Sequence, residues 1–129
     1  MIRIITLALC LSFASMSFGT DENGNYVGLG LGVNSCDKFI SAFDQANKTQ
    51  NLIEINRYIS YTNGALTGIN IALENTYNIL GGTELTGALF FLEKYCRDNP
   101  LDDYGYALYE LLVELESNRT LSGPLAPSQ

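Results

Sequence analysis

Three cysteines, at positions 10, 36 and 96, are the residues of this 129-residue chain whose type most invites chemistry. A thiol can be a nucleophile, a metal ligand or one half of a bridge. The chain contains no histidine. It therefore offers no imidazole base to take a proton from a catalytic cysteine, and two thiols alone leave a tetrahedral metal site incomplete. Cys10 falls inside an apolar leader, so only Cys36 and Cys96 stay with a mature chain. Two cysteines in an exported protein most often pair. A bridge between them closes a loop of about 60 residues, which the chain-entropy estimate values at about 4 kcal/mol.

The leader is Met1-Ile2-Arg3, an apolar run from Ile4 to Phe13, and a small, mild stretch from Ala14 to Gly19. That order is the layout of a secretory signal, with cleavage expected after Ser17 or Gly19. Its apolar core is short of the roughly 20 residues that span a bilayer. A lipoprotein reading of Cys10 is disfavoured, because bulky Leu9 precedes it and the segment before it is very short. Loss of Arg3 leaves six basic residues against 14 acidic ones, a net charge of −8. Such a surface argues against nucleic acid and anionic lipid as partners, and so against membrane association once the signal is cleaved. The expected location is the periplasm or the exterior.

Other candidate chemistry is weaker. Asp21, Asn23 and Asn25 faintly resemble a calcium loop, but the glycine is misplaced and the closing glutamate is missing. Gly28, Gly30 and Gly32 alternate with apolar residues without the spacing or the closing lysine of a phosphate loop. Asp102 and Asp103 are adjacent. Neighbouring helical residues point apart, so they suit the head of a helix better than an acid/base pair. Asn47 and Asn118 begin N-x-T sequons, relevant only in a host that glycosylates. No catalytic residue, metal site or cofactor is expected, and the reading is of a non-enzyme.

Four helices must carry whatever the chain does. The first is expected from an N-cap at Ser35 to about Asn47, with Cys36, Phe39, Ile40 and Phe43 on one face. The second spans about Gln50 to Leu73. Its inward stripe is Leu52, Ile55, Ile59, Thr62, Leu66, Ile69 and Leu73; the opposite side holds Tyr61, Gly64, Gly68 and Ala72. Two helical glycines four residues apart are expensive, which suggests close approach of another backbone, a neighbouring helix or a second copy; a helix break near Gly64 is the competing explanation. Thr83 is placed to cap the third helix, whose face Leu85, Ala88, Leu89, Leu92 and Cys96 turns inward, and Phe90 and Phe91 make it apolar over most of its girth. Pro100 stops it. The fourth helix turns Tyr104, Leu108, Leu111 and Leu115 inward. The expected fold is all-α, a small four-helix domain over 35–116 with one disulfide joining helix one to helix three. It follows a 1–19 signal and a flexible, extended glycine-rich arm over 20–34, and precedes a disordered tail over 117–129.

The stretches NSCDKFI and FLEKYCRDNPLDDYGYALYELL resemble the two cysteine segments of the HdeA/HdeB family of periplasmic acid-stress chaperones, over roughly residues 34–115. The resemblance implies that Cys36 and Cys96 correspond to the family disulfide. A second likeness is to the Rap/Tai-type immunity proteins, small helical periplasmic proteins that block secreted amidase toxins. It rests on Tyr61, Gly64 and Gly68 in a Y-x-x-G-x-x-x-G pattern.

The chaperone likeness implies holding of unfolding proteins at low pH, on a surface that includes Tyr61, Gly64, Gly68, Phe90 and Phe91, after release from a possible homodimer. Below pH 3 most carboxylates protonate, and the net charge swings from about −8 to about +7. Self-repulsion and lost carboxylate bonds would then loosen the domain. The immunity likeness implies instead a toxin partner bound near neutral pH; a third reading is an exported domain with neither activity. One departure from HdeA-type chains is that they are richer in lysine towards their ends, whereas the tail here carries one base, Arg119.

Overall fold

The computed structural model describes residues 20–124; the signal expected over 1–19 and the last five residues of the tail lie outside them. Four helices make up the domain: α1 (Cys36–Thr49), α2 (Ile53–Ala72), α3 (Leu85–Asp98) and α4 (Tyr104–Glu116), preceded by a 3₁₀ turn (Gly30–Val33). α1 lies in the middle, against α2, α3 and α4, while α3 packs on α4 and the 3₁₀ turn packs on α4.

Helix α1 buries Cys36, Phe39, Ala42 and Ala46, at spacings of three and four. Ile40 and Phe43 flank that row, half-buried. Its start is not held as the sequence suggests. Ser35 occupies the cap position but makes no side-chain capping bond; its hydroxyl goes to the Asp37 carboxylate instead. The orphan amides of the first turn are satisfied across space. Cys36 N–H donates to the Asp102 carbonyl at 2.7 Å and Asp37 N–H to the Pro100 carbonyl at 3.1 Å. The α3–α4 connection thus caps α1, and Gln50 ends α1 in the left-handed region with φ 59°.

Helix α2 turns Ile55, Tyr58, Thr62 and Leu66 into the core. That row is rotated from the expected one: Ile59, Ile69 and Leu73 are only half-buried, and Leu52, just outside the helix, is exposed. Tyr58 takes the inward place because its ring packs against Phe39 and Tyr104, with centroids 5.3 and 4.9 Å away.

Helix α3 buries Ala88, Leu92 and Cys96, and α4 buries Tyr104, Ala107, Leu108, Leu111 and Leu115. Glu84, not Thr83, occupies the position before α3. The bridge from Cys36 to Cys96 joins α1 to α3, and both cysteines are fully buried. It therefore works as a structural tie in the core, of the sort made and kept in oxidising compartments.

Two expectations about the ends need correction. The glycine-rich arm is not simply extended, since Gly30–Val33 form the 3₁₀ turn and Gly32 is buried. The backbone comes so close there that a Cβ on Gly105 would lie 2.9 Å from the Gly32 carbonyl oxygen. The tail is not loose through its first residues either. Tyr77 N–H donates to the Thr120 carbonyl at 2.8 Å, and Thr120 N–H donates to the Asn78 carbonyl at 2.9 Å. This pairing lies over Gly81 (φ 57°), where a Cβ would stand 2.0 Å from the Asn118 carbonyl oxygen.

Inside the helices one polar pair is wholly enclosed. Thr62 and Tyr104 are both 0% exposed, and their hydroxyl oxygens are 2.7 Å apart. The Thr62 hydroxyl donates its one proton to the Tyr58 carbonyl at 2.9 Å, so the Tyr104 hydroxyl is the donor between the two. Burial pushes the Tyr104 phenol well above its ordinary range, so the proton that this bond requires stays in place.

Candidate protein-binding surface

The residues proposed for binding do not form one surface. Tyr61 is half-buried: its hydroxyl donates to the Leu29 carbonyl at 2.8 Å, and its ring lies over Gly30 and Gly32. It fastens the 3₁₀ turn onto α2. Gly64 and Gly68 follow on the same flank and are open: apart from the backbone of their own turn of helix, no heavy atom of the described residues lies within 4 Å of where a Cβ would stand. The close backbone approach expected there is not made among the described residues. Phe90 is 60% exposed. Phe91 is half-buried and points elsewhere, since adjacent helical residues diverge by about 100°. α1 packs against both α2 and α3, so the flank of α2 and the outer side of α3 are separate patches.

Phe91 opens the larger feature. Its ring stacks on Tyr95 one turn later, at 6.5 Å and 14°. Tyr95 meets Tyr106 of α4 at 6.4 Å, Tyr106 stacks on Tyr109 at 6.0 Å, and Tyr109 on Tyr26 at 6.3 Å and 19°. Five rings thus run across the α3–α4 face and onto the N-terminal segment, all at separations where aromatic pairs attract. Sequence reasoning assigned the inward row of α4 and overlooked this outward one. The signal was present: Tyr106, Tyr109 and Val113 recur at three and four on the side opposite Leu108 and Leu111.

Carboxylates border the rings. The Tyr95 hydroxyl donates to Asp102 Oδ2 at 2.6 Å; burial first, and then that carboxylate, push the Tyr95 phenol up. A hydrogen bond with Glu110 does the same for Tyr106, and burial with the nearby Asp103 charge for Tyr26. These tyrosines are therefore neutral, with their protons held, at any ordinary pH. Tyr26, Leu101, Asp102, Asp103 and Tyr106 line a shallow groove of about 380 Å³ at the end of the row. Leu101 and Val27 nearby are 90% and 85% exposed.

Chemically the face can stack, take donors on its carboxylates and cover apolar side chains. Among the described residues there is no group of three or more His, Cys, Asp or Glu that could hold a metal ion, and no helix is long and apolar enough to cross a membrane. The loop that looked faintly like a calcium site is a local turn, in which the Asp21 carboxylate accepts the Asn23 and Asn25 amides at 2.9 and 2.8 Å. Across known proteins, no family model, no curated protein and no solved structure matches this chain.

Proposed function

We propose that the chain is an exported, non-catalytic protein-binding domain of the periplasm or exterior, which holds other proteins on the aromatic face of α3 and α4 in the manner of an HdeA/HdeB-like acid-stress chaperone. The observation that carries the reading is the five-ring row on a disulfide-tied frame, in which Tyr26 and Tyr106 are exposed and Phe91, Tyr95 and Tyr109 half-buried. Aromatic side chains bring large contact area for little rotamer cost, which suits a surface that grips unfolded chains. The leader and the buried bridge support export.

The acid response has a candidate part. Arg97 of α3 reaches Asp44 of α1 at 2.7 Å and its own neighbour Glu93 at 2.9 Å. This clamp depends on carboxylate charge and fails as the acids protonate, while the bridge below it persists. The test is aggregation of a model enzyme at pH 2–3 with the protein in molar excess. Protection is expected, and its absence rejects the chaperone reading.

A second reading, an immunity-type inhibitor, is favoured by the ring row already being assembled in the folded domain. It calls for a toxin encoded next door that co-elutes with this protein at neutral pH.

A further inference from the structure

We propose that the acidic end of the ring row, where Tyr26 and Tyr106 meet Asp102 and Asp103, docks an arginine- or lysine-bearing segment of a partner protein in the native fold near neutral pH. The inference rests on the protein-binding reading of this face but not on the acid trigger.

Ring faces beside carboxylates are the chemistry that receives a guanidinium. The cation lies over a ring while its forked donors meet carboxylate oxygens. The groove supplies both, from residues 101–106 and from Tyr26 of the N-terminal segment, with Leu101 at its rim for an apolar neighbour of the basic residue. That rim points to a peptide segment rather than a bare cation.

Charge complementarity runs one way. Each arginine of the described residues is already matched to a carboxylate elsewhere: Arg57 to Glu54, Arg97 to Asp44 and Glu93, and Arg119 to Glu116. Lys94 stands one helical turn from Phe91, at the other end of the row, with Asp98 four residues on. The Tyr26–Tyr106 end is therefore the one left acidic, on a chain whose net charge of −8 without its leader steers basic partners inward. Preorganisation adds to this. Tyr95 is fixed by Asp102, and Tyr106 lies between the rings of Tyr95 and Tyr109, so little side-chain freedom remains to be lost on binding.

The experiment is an NMR titration at pH 7 of the oxidised mature chain with an alternating arginine–leucine octapeptide, and with its glutamate–leucine counterpart. Shifts are expected to be confined to Tyr26, residues 101–106 and Tyr109, and affinity to fall about tenfold between 50 and 300 mM salt. Tyr106→Ala and Asp103→Asn should each weaken binding about tenfold. Glu54→Gln on α2 should leave it unchanged. Should circular dichroism show Tyr106→Ala to be misfolded, the milder Asp103→Asn decides. Equal binding of the glutamate peptide, or shifts spread over the acids of α1 and α2, overturns the proposal. Failure to bind the arginine peptide together with protection of a model enzyme at pH 2–3 sinks the docking site alone; failure of both assays sinks the protein-binding reading as well.

Discussion

Gly64 and Gly68 offer a test whose sign differs between the sequence and the structure. On sequence grounds the pair looked like a place where another backbone comes close. In the folded chain both lie inside the 20-residue helix α2, and a methyl group added at either meets nothing of the described residues within 4 Å beyond the backbone of its own turn of helix. Neither has the positive φ that would penalise a side chain. The remaining effect is intrinsic. Alanine is favoured over glycine in a helix interior by about 0.8–1 kcal/mol, partly through the unfolded chain. The two sites are one turn apart and share no neighbour, so Gly64→Ala/Gly68→Ala should stabilise by about 1.5–2 kcal/mol. For a domain of this size that raises the melting temperature by roughly 6–12 °C. Far-UV circular dichroism at two protein concentrations a hundredfold apart reads the result, with sedimentation reporting oligomer size. A melting temperature unchanged or lowered, above all one that falls only at the high concentration, would refute the reasoning. It would mean that a second copy presses its backbone on this flank and that the glycines are an interface.

Further outcomes follow from the core and the clamp. Cys36→Ala/Cys96→Ala removes the tie on a loop of about 60 residues and should cost about 4 kcal/mol, a drop of roughly 15–25 °C in melting temperature; a loss below 5 °C contradicts the bridge's role. Thr62→Val leaves the Tyr104 hydroxyl buried without an acceptor and should cost about 2–3 kcal/mol, whereas Tyr104→Phe leaves Thr62 bonded to the Tyr58 carbonyl and should cost about 1. The double variant should recover part of the Thr62→Val loss, as a double-mutant cycle by urea denaturation would show. Arg97 holds the Asp44 carboxyl below its ordinary 3.8. A depressed folded value means that the stabilisation is full above about 3.8 and is lost as pH falls through the lower folded value, so melting curves of the wild type and Asp44→Asn should differ at pH 7 and converge in strong acid.

The sequence made the four helices, the pairing of Cys36 with Cys96 and the inward row of α4 legible, because each is a local periodic signal or a matter of counting. It was less informative wherever a neighbour decided. Ser35 has the right type for a cap, but the carbonyls of Pro100 and Asp102 took over that duty from the far end of the chain. The inward row of α2 turned towards Tyr58 because Phe39 and Tyr104 provide ring faces, and tyrosine is ambiguous in any hydrophobic count. The tail was assigned from composition, yet its fate depends on backbone pairing between Asn78 and Thr120, a contact to which side-chain types are nearly indifferent. Of the candidate surface, Phe91 was found and its four tyrosine neighbours were missed, since attention to the core stripe treats the opposite side as solvent.

The same residue type thus does two jobs here, and helical phase separates them. Tyr58 and Tyr104 point inward, where Asn34 and Thr62 receive or supply their hydroxyl bonds. Tyr106, two residues beyond Tyr104, is turned by about 200° and is 41% exposed. Asp102 connects the two populations. Its backbone carbonyl takes the Cys36 amide beside the bridge, while its carboxylate holds the Tyr95 hydroxyl in the outer row. The position of the ring row is therefore tied, through one residue of the α3–α4 connection, to the backbone beside the bridge. A binding face built this way loses little side-chain freedom on docking, and the bridge beneath it persists in acid after the Arg97 clamp has let go.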